Sequence, residues 1–201
     1  MLDKNEKTSV FIDGSSLYYT AKSLGFEVDY RRLLRYFKSG TRLLRAHYYA
    51  AIPETEDYSP LKPLTDWLAY NGYMLVTKTA REFTDQSGRR RLKGNMDVEL
   101  AIDLMELADH MDHAVIFSGD ADLRRAVEAI QRRGVRVTAI SSLRASPSLI
   151  GGDLRRQVDQ FVELGDIASE FTRRQAENQA RPRSAPVRHP ADVMLDDEMD
   201  D

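Results

Sequence analysis

Short apolar segments alternate with helix-length segments along most of this chain. The apolar runs are Thr8 to Asp13, Leu43 to Ile52, Tyr73 to Thr79, His113 to Phe117 and Val135 to Ile140. Between them, Ser15 to Leu24, Tyr30 to Phe37, Leu61 to Gly72, Met96 to His110 and Ala121 to Arg133 carry apolar residues at helical spacing. A helix between two strands returns the chain to the starting edge, so successive strands run the same way. The pattern predicts a three-layer α/β/α domain with a central, mainly parallel sheet and helices on both faces.

A chain of 201 residues with 42% hydrophobic and 30% charged residues has enough apolar surface for one such core. It holds no cysteine, which excludes disulfides, thiolate nucleophiles and zinc sites built on sulfur. Beyond Arg173 the apolar periodicity stops. Arg181 to Pro190 is rich in Pro, Arg and Ser, and Asp192 to Asp201 is acidic, so residues 173–201 read as a disordered tail behind a domain of residues 1–172. The whole chain carries a net charge of −3, and without the tail 24 basic residues face 25 acidic ones. Any polyanion must therefore be held by a local patch. No apolar run approaches the ~20 residues of a membrane span, and Met1 to Lys7 lacks the apolar stretch of a signal peptide. A cytoplasmic protein is expected.

Open parallel sheets bind ligands outside the carboxyl ends of their strands. Two strands here end in an acid beside a glycine: Ile12-Asp13-Gly14-Ser15-Ser16, and Phe117-Ser118-Gly119-Asp120-Ala121-Asp122. The glycines would let the backbone turn sharply. Each Asp could simply cap the helix that follows. Asp97 opens the helix from Met96 and shares a helical face with Leu100, Ala101, Leu104 and Ala108. A carboxylate heading an apolar stripe is costly unless paired or metal-bound, although the helix dipole also favours an acid there. Glu99 and Asp103 fall on a different face and read as solvated, with the alternative that Asp103 supports the acidic site from behind. Crowded carboxylates are usually compensated by a hard divalent cation, Mg²⁺ or Mn²⁺. His47, His110, His113 and His189 show no ligand spacing, and no phosphate-loop, nucleophile-elbow or dinucleotide motif is present.

Three segments together resemble the motifs of the NYN domain, in its LabA-like branch of the PIN-like metal-dependent ribonuclease superfamily. They are Phe11-Ile12-Asp13-Gly14-Ser15-Ser16-Leu17-Tyr18, Lys93-Gly94-Asn95-Met96-Asp97-Val98-Glu99-Leu100-Ala101-Ile102-Asp103 and Ser118-Gly119-Asp120-Ala121-Asp122-Leu123. The resemblance implies a PIN-like fold and one or two Mg²⁺ or Mn²⁺ ions. It also implies hydrolysis of RNA phosphodiester bonds, with Asp13, Asp97, Asp120 and Asp122 as the metal-binding and catalytic acids. Ser16 stands where the family usually has Asn, and a hydroxyl there has shorter reach and one fewer donor.

Gly88-Arg89-Arg90-Arg91-Leu92-Lys93-Gly94 precedes Asp97. Its glycines suggest a mobile loop whose Arg89, Arg90, Arg91 and Lys93 either contact a phosphate backbone or simply face water. Ser16 and Ser118 complete the expected substrate-binding set. Tyr18, Tyr19, Tyr48 and Tyr49 read as core and half-core residues. The expected activity is endoribonucleolytic, and the alternative is a catalytically weak or inactive module of the same fold that binds RNA or protein. A phosphatase of the haloacid-dehalogenase type fits poorly, because Phe11 occupies the position of its nucleophile. A homodimer and a protein partner for the tail are the remaining partner expectations.

Overall fold

The computed structural model describes residues 2–53, 61–84 and 90–173, with the backbone alone for residues 53, 81–84 and 90–93. The strands are β1 (Lys7–Asp13), β2 (Arg42–Pro53), β3 (Met74–Thr84), β4 (Arg90–Lys93), β5 (His113–Phe117), β6 (Arg136–Ser141) and β7 (Gln160–Glu163). The helices are α1 (Gly14–Ser23), α2 (Tyr30–Gly40), α3 (Lys62–Tyr70), α4 (Asp97–Leu107), α5 (Arg124–Gln131), α6 (Gly152–Gln157) and α7 (Leu164–Phe171). Single 3₁₀ turns close α4 and open α5.

The sheet runs β4-β3-β2-β1-β5-β6-β7. Every pairing is parallel except β3 with β4, so six parallel strands form the centre and β4 adds an antiparallel edge. The expected three-layer α/β/α architecture is borne out. From β1 the chain first builds outward through β2 and β3, then returns to place β5 on the other side of β1. That reversal puts the switch point between β1 and β5, where the carboxyl ends splay apart and leave a crevice.

Strands buried on both faces explain the near-continuous apolar runs. Val10, Ile12, Tyr48, Val115 and Phe117 meet one layer with Leu17, Leu33, Phe37 and Phe171. Phe11, Tyr49, Ala114 and Ile116 meet the other with Leu100, Leu104, Val127 and Leu154. Tyr48 and Tyr49 are fully buried, as expected of core residues.

One expectation changes. Part of the basic loop is strand: Arg90–Lys93 pairs with Arg81–Thr84, while Gly88 and Arg89 lie outside the described residues. Beyond β6 the chain adds α6, β7 and α7, and Phe171 of α7 is fully buried against Phe26, Tyr36 and Phe117. Thr172 then bridges Val28, and Arg173 pairs with Glu27. The tail expected over residues 173–201 lies outside the described residues except for Arg173, which is held against Glu27. Among the described residues no helix is long and apolar enough to cross a membrane.

Candidate metal centre

Asp13 is the last residue of β1, and its backbone is still extended as α1 begins. One carboxylate oxygen accepts the Ser15 N–H (3.0 Å) and the Ser15 hydroxyl (2.8 Å). The other accepts the Ser16 hydroxyl (2.5 Å). Asp13 thus does cap α1, is only 8% exposed, and has both oxygens held in place.

On the far side of the switch point, β5 delivers Ser118-Gly119-Asp120. The Ser118 hydroxyl is buried and accepts the Asp120 N–H (3.1 Å), while Asp120 accepts the Asp122 N–H (2.9 Å). These two short turns point the acidic pair out of the strand end. Ser118 therefore shapes the loop, and Ser16 orients Asp13; in each case the hydroxyl expected to meet substrate has a partner within the protein.

The glycines beside the acids serve a different purpose from the one the sequence suggests. Neither Gly14 nor Gly119 has a positive φ. A Cβ on Gly14 would sit 2.6 Å from the Tyr48 ring, and one on Gly119 would sit 1.8 Å from the Leu149 carbonyl oxygen. The Gly119 backbone is also bound by the Gly151 N–H. Close approach, rather than turn geometry, demands glycine at both ends.

Asp97 opens α4, and its N–H is accepted by the Asn95 side chain (2.6 Å). Leu100, Leu104 and Ala108 below it are buried, as the helical spacing predicts. Ligand-capable oxygens of Asp97, Asp120 and Asp122 all lie within 4.8 Å of one another. Asp13 lies outside that triple yet close enough for its charge to be felt at Asp97. Burial pushes the Asp97 carboxyl up to about 6; the Asn95 side chain opposes this, and Asp120 and Asp13 add to it.

The decisive atom is Asp97 Oδ2, which is buried and has no hydrogen-bond donor among the described residues. Buried carboxylate oxygens are almost always satisfied. An orphan oxygen beside two further carboxylates suits a hard divalent cation with oxygen ligands, so the residues present fit such an ion.

Other residues singled out by the sequence have different places. The backbones of Arg90, Arg91 and Lys93 form β4, and Arg89 lies outside the described residues. Glu99 and Asp103 are not simply solvated. Glu99 takes two hydrogen bonds from Lys78 (3.0 and 3.1 Å), and Asp103 accepts the Tyr49 hydroxyl (2.7 Å). Helical periodicity could place both acids on one flank but could not show which strands lie under it.

A carboxylate triple at the switch point of a six-stranded parallel sheet defines an acid-centred α/β domain. A model of the NYN domain family matches residues 7–165, and the chain belongs to that family. It is 31% identical over 198 residues to the low amplitude and bright protein LabA of Synechococcus elongatus, covering 95% of this chain and all of the relative. Among solved structures, a crystal structure of a protein of unknown function from Vibrio parahaemolyticus RIMD 2210633 superposes with a TM-score of 0.67. That match covers 86% of this chain and 99% of the other at 24% identity, and it shows a shared fold.

Proposed function

We propose that this chain is a Mg²⁺- or Mn²⁺-dependent endoribonuclease, acting in the cytoplasm and hydrolysing RNA phosphodiester bonds at Asp13, Asp97, Asp120 and Asp122. The unpartnered, buried Oδ2 of Asp97 within the carboxylate triple carries the proposal. Asp97, Asp120 and Asp122 would hold the ion. Asp13, fixed by Ser15 and Ser16 at the end of the neighbouring strand, would flank it. A divalent cation bound there supplies an activated water and charge stabilisation on the scissile phosphate. Asp120 and Asp122 are aimed by the turn that Ser118 holds, and the tight seat of Gly119 keeps that turn rigid. Arg89, Arg90, Arg91 and Lys93 would contact the RNA backbone independently of sequence.

The test is incubation of purified protein with labelled single-stranded and structured RNAs, in Mn²⁺, in Mg²⁺ and in chelator. Cleavage confined to the metal-containing reactions is expected, with 5′-phosphate and 3′-hydroxyl ends from attack by water. RNA binding without cleavage under all three conditions would instead favour a non-catalytic module.

A further inference from the structure

We infer that the Tyr49–Asp103 hydrogen bond, with the Lys78–Glu99 ion pair beside it, is a positioning clamp. It holds α4, and with it Asp97, in place against Asp120 and Asp122. The inference rests on the metal-binding reading above and assigns work to residues outside the acidic set.

Three like charges within 4.8 Å repel one another. Asp120 and Asp122 sit on a turn packed closely at Gly119, whereas Asp97 heads a separate element, α4. Leu100 and Leu104 anchor α4 in the core, and the hydrophobic effect that buries them is itself non-directional. Glu99 and Asp103 lie on one flank of α4, roughly 40° apart around the axis and about 6 Å apart along it. Two directional bonds so placed restrain both rotation and sliding.

Where the bonds end matters as much. Tyr49 is the register partner of Asp13 across β1 and β2. One strand position therefore lies beside one acid and holds the helix that carries another. Tyr49 is fully buried, and its ring is stacked near His47 (6.3 Å between centroids). Burial, followed by the bond to Asp103, pushes its hydroxyl far above the ordinary value, so it remains a donor at any working pH. Lys78 and Glu99 are about one-third exposed, so salt screens their pairing more.

Tyr49→Phe deletes one oxygen from a buried ring, and Asp103→Asn keeps an oxygen that accepts from Tyr49. With Mn²⁺ as the probe, followed by electron paramagnetic resonance, Tyr49→Phe is expected to bind about three- to tenfold more weakly than wild type, with an unchanged circular dichroism spectrum. Its kcat on a short RNA should fall by a similar factor while KM holds. Asp103→Asn should stay within about twofold of wild-type Mn²⁺ affinity, and Asp103→Ala should match Tyr49→Phe. Unchanged Mn²⁺ affinity in Tyr49→Phe overturns the clamp alone. Equal losses in Asp103→Asn and Asp103→Ala also overturn it, since charge rather than position would then matter. If Tyr49→Phe fails to fold, Lys78→Met serves in its place, with a loss of about twofold expected and no loss overturning the clamp. Wild-type protein that binds no Mn²⁺ overturns the metal reading and the clamp with it.

Discussion

The two ends of the parallel sheet treat charge in opposite ways. At the amino ends of β1, β5 and β6, Glu6, His113 and Arg136 form a closed network. Arg136 pairs with Glu6 and donates to His113 Nδ1 (3.0 Å), and His113 Nε2 meets the Thr138 hydroxyl (2.8 Å). Arginine can only donate, so the imidazole proton sits on Nε2 and the ring is neutral. Asp112 accepts the Lys7 N–H and Asp159 the Val137 N–H, capping the same strand ends. At the carboxyl ends, Asp97, Asp120 and Asp122 crowd together, and the buried Oδ2 of Asp97 has no donor among the described residues. A sheet that compensates its charges within the chain at one end and leaves them open at the other separates a structural cluster from a candidate functional one.

The largest expected break in this contrast comes from the open end. Asp120→Asn and Asp97→Asn should each lower metal-dependent RNA cleavage by at least about a hundredfold. Without metal, their melting temperatures should equal or exceed wild type, because each removes a member of a repelling set. Melting curves recorded alongside cleavage assays check both halves, and a variant that loses activity by unfolding would identify the acid as structural. At the closed end the signs reverse. Arg136→Met leaves Glu6 and His113 without their shared donor and should cost about 2 kcal/mol by denaturant unfolding. Cleavage per folded molecule should be unchanged.

Titration sharpens the comparison. Burial and Arg136 push His113 down to about 4 from 6.5. The unfolded chain accepts a proton there that the folded protein refuses. The His113 contribution is therefore complete above about pH 6.5 and is lost as pH falls toward 4. Its full size is on the order of 3 kcal/mol. Asp97 runs the other way. Its raised value of about 6 against 3.8 means that the metal-free fold is favoured at low pH and loses stability as pH rises through 6. That effect is smaller, because the side chain is half-buried and screened. Asp97→Asn should therefore gain on wild type between about pH 4 and 7, whereas His113→Gln should flatten the loss toward acid. Unfolding at a series of pH values in chelator reads both slopes.

The smallest expected effect concerns the basic segment before Asp97. Replacing Arg89, Arg90, Arg91 and Lys93 with Ala should weaken RNA binding across sequences. The salt dependence should become shallower by up to about 0.7 log units for each phosphate of a single strand that is no longer neutralised. An unchanged slope would assign these residues to solvent.

Asp13, Asp97, Asp120 and Asp122 could be proposed as candidates without coordinates, because strand ends in a parallel sheet and a polar residue heading an apolar stripe are one-dimensional signals; the structure brings Asp97, Asp120 and Asp122 together. The closed network could not. Glu6, His113 and Arg136 come from three distant segments, and only strand order brings them together. The same holds for Asp103 and Glu99, whose partners Tyr49 and Lys78 lie on β2 and β3. In the stretch from Gly152 to Phe171, α6 and β7 are six and four residues long, too short for a period to repeat, and α7 follows β7 with no connecting loop to mark it. Gly14 and Gly119 were legible as necessary, but their reason, a Tyr48 ring and a Leu149 carbonyl pressed against the backbone, is a tertiary fact.

The open carboxylate end is tested most directly by the melting temperature of wild-type protein and Asp97→Asn, each with and without Mn²⁺. Binding to the folded state alone should raise the wild-type value as Mn²⁺ increases. Asp97→Asn should start at or above the metal-free wild type and respond little. A wild-type protein indifferent to Mn²⁺, or an Asp97→Asn protein that responds as strongly as wild type, would contradict a cation site at Asp97, Asp120 and Asp122.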